Sequence, residues 1–188
     1  MERTLIPAPA VSETRQQLRY LQNTQDNFAR TTGMAICLLR PNGRPLTPTS
    51  GRTQLYNTLM NDAAAASLCR ESFAKLHALA RKTRKAQMCI CEVTGLRIAV
   101  VPLLVDGDYY YWLTGQVREA VHLDHYDSFA IQLAHATGLS SKQLKIQYCS
   151  LPELSQAQFA RNLRLLQAVG VPAAVPGGTS AERARPPA

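Results

Sequence analysis

The sequence predicts an α+β domain: one antiparallel sheet with helices packed on it and further helices at the C-terminal end. Three observations lead there. The periodic segments run helix, hairpin, helices, three successive strands, helices, and not in the strand–helix alternation that builds a parallel sheet. Asp106-Gly107 sits between two long strand-like runs and marks a tight hairpin. The chain has 188 residues, 46% hydrophobic and 18% charged, which suits a single globular domain with tails and excludes disorder throughout.

In chain order, residues 1–11 read as a flexible lead-in with two prolines. A helix is predicted over 12–32, with Leu18, Leu21 and Phe28 near one face and Gly33 as its stop. MAICLL (34–39) is too short for a helix and reads as a buried strand. Pro41-Asn42-Gly43 supplies a turn, and Arg44–Thr49 is expected as a short edge partner, since its prolines bar it from a central place. Leu55–Met60 reads as a helical turn. Ala63–Lys85 reads as a longer helix with a stripe of Phe73, Leu76, Leu79 and Ala80.

Strands are expected at 87–91, 95–105 and 109–117. Helices follow at Leu123–Thr137, at Ser140–Tyr148 with serine as its cap, and at Leu154–Val169. Residues 12–170 form the expected domain, and 171–188, rich in Pro, Gly and Ala, read as a disordered tail.

Composition narrows the function classes. No apolar run approaches the ~20 residues of a membrane span, and residues 1–15 carry no secretory core, so a cytoplasmic location with reduced thiols is expected. Five cysteines exclude a fully paired disulfide framework. The net charge is +8, and residues 70–85 hold six Lys or Arg against Glu71 alone. That concentration suggests a local anion or partner contact rather than bulk nucleic-acid binding. No nucleophile elbow, zinc-protease helix or phosphate-cradling glycine loop is present, so no catalytic activity and no cofactor are expected.

Two constellations carry chemistry. Cys89 and Cys91 lie two apart in a predicted strand and should share a face, with Cys69 on the preceding helix. The favoured reading is small buried hydrophobes, and the alternative is a metal or redox site of Cys69, Cys89 and Cys91. The run Tyr109-Tyr110-Tyr111-Trp112 should put Tyr109 and Tyr111 on one face of its strand and Tyr110 and Trp112 on the other, as a pocket wall or dimer surface. His122 and His125 read as surface residues, His77 as solvated beside the basic cluster, and His135 as facing the sheet.

The middle of the chain resembles the PocR sensory-domain family. The resemblance rests on residues 29–50, 65–117 and 134–159, most specifically on Cys69-Arg70-Glu71-Ser72, the apolar strand with Pro102, Asp106-Gly107 and Gly115-Gln116-Val117. It implies a PAS-like sensory domain that binds small organic molecules, glycols being the proposed class, upstream of a signalling output. By that resemblance the ligand-binding residues are expected to include Cys69, Cys91, Tyr110, Trp112 and Gly115.

The sequence departs from the family pattern at Asn57, near an expected cysteine, in the longer Cys91-to-Gly95 spacing, and where Tyr110–Trp112 replace a glycine. No helix-turn-helix is legible after residue 117, so the expected output is a protein partner or a homodimer, with no sequence-specific nucleic-acid binding and no membrane. The competing function is an adaptor of the same fold that docks through its aromatic strand or its basic helix. In the sensor reading the pocket is expected between the sheet and the helix carrying Cys69, and in the adaptor reading that pocket is degenerate.

Overall fold

In the computed structural model, residues 11–105, 107–120 and 124–169 are described. The expected lead-in up to residue 10, Asp106, His122 and the tail over 171–188 lie outside them. The elements are α1 (Val11–Thr32), β1 (Ala35–Leu39), α2 (Gln54–Asn61), α3 (Ala63–Thr83), β2 (Gln87–Ile90), β3 (Arg97–Val105), β4 (Asp108–Val117), α4 (Asp124–Thr137), α5 (Ser141–Cys149) and α6 (Gln156–Gln167). The fold is α+β and PAS-like. One four-stranded sheet runs in the order β1-β4-β3-β2, and every neighbouring pair is antiparallel.

Local chemistry sets most of the boundaries. Val105 pairs with Asp108 and Gly107 adopts φ +90°, so the β3–β4 hairpin closes as its sequence predicts. Thr53, Asp62, Ser140 and Ser155 cap α2, α3, α5 and α6 through their side chains, and Ser155 with Gln158 completes a capping box. Arg84 ends α3 in the left-handed conformation at φ 53°. Segment 44–50 differs from its expectation. It forms no strand beside β1, meeting it at the isolated bridges Leu39–Pro45 and Ile36–Ser50 and through bonds at Leu38, because proline withholds the donors a ladder needs.

The sheet separates two layers. On one face α1 and α6 pack Leu21, Phe28, Phe159, Leu163 and Leu166 against Leu38, Val101, Leu103 and Trp112. On the other face α3 lays Leu76 and Ala80 over Cys37, Leu39, Ile98, Val100 and Tyr111. A third cluster joins α2 and the start of α3 to α4 and α5 through Leu55, Cys69, Tyr126, Leu133 and Tyr148.

Segment 44–50 is held against α1 by a polar lock. Fully buried Gln25 donates to the Pro48 carbonyl at 2.6 Å and accepts from the Thr47 hydroxyl at 2.6 Å. The Thr47 hydroxyl oxygen in turn accepts from the Leu38 backbone N–H at 2.9 Å. Ser50 donates to Asp26, and that bond, with one from Gln22, holds the Asp26 carboxyl below its ordinary range.

Candidate functional site

A cavity of about 560 Å³ lies between the sheet and α3, within the size range of small-molecule sites. Ala35, Cys37 and Leu39 of β1 with Ile98 of β3 and Leu113 of β4 form its floor. Phe73, Ala74 and His77 of α3 roof it, Tyr56 and Met60 of α2 close one end, and segment 42–49 walls the side through Gly43, Pro45 and Thr49. The Thr49 and Tyr56 hydroxyls bond each other at 3.1 Å within this lining. Arg44 and Arg70 are exposed and stand at the rim. A narrow recess of about 10 Å³ continues behind it, sharing Tyr56, Met60, Phe73, Ile98 and Gln116, and Cys69 lines that recess.

Gln116 reaches the cavity because the sheet is bulged there. Arg97 pairs with Val117 and Ile98 with Gly115, so Gln116 is left without a partner on β3. Its φ is 58°, a left-handed backbone for a residue with a side chain. Gly115 makes the bulge possible. Its φ is +122°, and a Cβ there would stand 2.4 Å from the Arg97 carbonyl oxygen. Strict alternation would send Gln116 to the face of Tyr110 and Trp112, and the extra residue turns it to the other. Bulges and strained non-glycine residues concentrate beside functional sites.

His77 is a correction. It is buried, not solvated: α3 presents Cys69, Phe73, Leu76, His77 and Ala80 inward, and Leu79, expected in the stripe, is exposed. The His77 ring meets Tyr111 edge-on at 4.7 Å and lies against Gly43, where a Cβ would come within 3.3 Å of Nδ1. Its Nε2 is buried without a hydrogen-bond partner among the described residues. Burial, with the nearby Arg81 charge, pulls the His77 pKa below its ordinary value, so the ring is neutral near pH 7.

The aromatic run is split by the pleat as its alternation predicts, but Tyr110 and Trp112 do not wall the cavity. They face α1 and α6, where Trp112 is fully buried in the packed layer. β4 is flanked by β1 and β3, so the aromatic strand offers no free edge to a partner. His135 is a further correction: it is exposed and does not face the sheet. His125 is exposed as expected, with its ring against Tyr126 and Phe129.

The thiols part company for a local reason. β2 ends at Ile90, and Cys91 enters a turn in which its N–H bonds the Leu96 carbonyl and its carbonyl accepts from Gly95. Cys91 is therefore buried, with Sγ 3.4 Å from the Ser72 hydroxyl, whereas Cys89 stays exposed. Burial pushes the Cys69 thiol up to about 12 and the Cys37 thiol up to about 11, and the Cys89 thiol is raised too. Such thiols are weak nucleophiles at neutral pH. Among the described residues no three His, Cys, Asp or Glu side chains gather in a metal-holding group.

Residues 17–170 match the family model described as the sensory domain found in PocR, most of the chain. The chain belongs to the PocR sensory-domain family. No curated protein and no solved structure matches it. Among the described residues of this PocR domain, no helix is long and apolar enough to cross a membrane.

The sequence missed the cavity residues of the PocR domain except through its neighbours. Gln116 lay inside the Gly115-Gln116-Val117 signature, and His77 stood at helical spacing from Cys69 and Phe73. Tyr56 and Thr49 carried no signal of their own, since only the folded path of segment 44–50 brings them together.

Proposed function

We propose that this chain is a small-molecule sensor without catalytic activity, and that its ligand occupies the cavity between β1, β4 and α3. One observation carries the reading: a polar residue, Gln116, is held by a strained bulge beside the aliphatic side chains Leu39, Ile98 and Leu113 at the floor of the cavity. In this reading Gln116, Tyr56 and His77 line the ligand, and Cys69 borders its deeper end. Gly115 and Cys91 act from behind, the first by shaping the bulge and the second by closing the β2–β3 turn under α3. Tyr110 and Trp112 support the sheet from the opposite face. The ligand state passes to a protein partner or a second copy, for which the exposed basic end of α3, Arg81 to Lys85, is the proposed contact in place of the buried aromatic strand. No sequence-specific nucleic-acid contact is proposed.

A thermal-shift screen of glycols, short alcohols, aldehydes, small acids and small aromatics tests this. Ligand at one hundred times Kd stabilises the native state by about 2.7 kcal/mol, which raises Tm by roughly 5–10 °C in a domain of this size. Ala74→Trp, on the exposed rim, should fill the cavity and abolish the shift while leaving the unliganded protein folded. A hit that survives Ala74→Trp would place binding elsewhere, and a screen without hits would remove the sensor reading in favour of an adaptor.

A further inference from the structure

The cavity's charged residues are all of one sign. Arg44 comes from the turn after β1 and Arg70 from α3, and no Asp or Glu lines the space. The nearest acidic residue on the helix, Glu71, lines a different depression on the far side of α3. Among the described residues neither Arg44 nor Arg70 forms an ion pair, although three other ion pairs are made. Below the two guanidinium groups the floor is aliphatic: Ala35, Leu39, Ile98 and Leu113.

Resting on the sensor reading above, we infer that the ligand is an organic anion, a small carboxylate with an apolar aliphatic or aromatic body, whose carboxylate meets Arg44 and Arg70 at the rim. Guanidinium donors form a planar fork that matches a carboxylate, and charge-assisted bonds are about twice as strong as neutral ones. The apolar body then fills the space over Leu113 and Ile98. This ligand class differs from the glycols that the resemblance implies, because it uses the two arginines at the rim.

The probes are hexanoate and phenylacetate, each against its amide, hexanamide and phenylacetamide, with inorganic phosphate as the charge-only control. Binding is followed by thermal shift and by titration at low and high salt. The acids should stabilise the protein, the amides should bind at least tenfold more weakly, and phosphate should give no shift. Arg70→Gln and Arg44→Gln should each weaken the acids about tenfold, the loss of one charge-assisted contact. Arg161→Gln with Arg164→Gln, which removes more charge on the opposite face of the sheet, should not.

Amides or glycols binding as tightly as the acids would overturn the anion assignment and leave the sensor reading standing. So would acid binding that survives both arginine variants, or a phosphate shift equal to that of the acids. If neither these probes nor the wider screen moves Tm, the sensor reading itself fails with it.

Discussion

The two faces of one sheet do different work. Leu38 and Leu39 are neighbours of the same residue type, yet Leu38 sits in the packed layer under α1 and α6 while Leu39 borders the cavity under α3. The difference lies in the covering helices. α1 and α6 bring Leu21, Phe28, Phe159, Leu163 and Leu166, large enough to fill the space down to Trp112. α3 brings alanines, with Ala74 over the cavity and Ala80 against the strands, and its bulk is confined to Phe73, Leu76 and His77. A sheet covered by bulky helices on one side and by an alanine-rich helix on the other keeps its stability on the first and its vacant volume on the second.

The sharpest way to break that comparison is the leucine pair. Leu38→Ala should cost about 4 kcal/mol, near the top of the range for buried leucines, because its surroundings cannot collapse. Leu39→Ala should cost about 2 kcal/mol, since one side of its side chain already faces the cavity. Urea unfolding of both variants decides it, and equal losses would mean that the two faces are packed alike.

Next in size is Gly115→Ala, which should cost about 3 kcal/mol through a clash with the Arg97 carbonyl and a forced left-handed backbone. It should also remove ligand binding in whatever protein still folds, because the bulge aims Gln116. Normal stability in this variant would show that the bulge is not needed.

A smaller effect belongs to His77. Its folded pKa lies below the ordinary 6.5, so the unfolded chain takes up the proton first as pH falls. Stability present above about pH 6.5 should therefore decline as pH drops from there toward the depressed folded value. His77→Gln should flatten that decline between pH 7 and 5, read from urea midpoints. A decline unchanged by the substitution would assign it to other groups.

The smallest expected effect is on the outer surface. Changing Lys82 and Lys85 to Gln should leave the urea midpoint unchanged, because exposed charges contribute little to folding. A marked fall would show that the basic end of α3 is packed and not free.

Most of the fold was legible because it is written in local signals: hairpin chemistry at Asp106-Gly107, serine and aspartate caps, and alternation that split Tyr109 and Tyr111 from Tyr110 and Trp112. The site was legible only in outline. The helix carrying Cys69 does lie over the sheet, and Tyr110 and Trp112 lie on the face opposite the cavity. Alternation tells which side chains share a face and not which face is left open. That depends on what the covering helices bring, and α1 and α6 lie far from β4 in sequence.

By itself, then, the sequence determined the α+β class, the order of helices and sheet strands and the split of Tyr109 and Tyr111 from Tyr110 and Trp112, since propensity, capping and periodicity act over a few residues. Only the tertiary structure decided that α3 leaves a cavity, that a bulge turns Gln116 into it, that His77 is buried, and that Cys91 parts from Cys89 at a turn. Each of these follows from packing between segments distant in the chain, where one extra residue in a strand or one small residue on a helix changes which side chain meets which space.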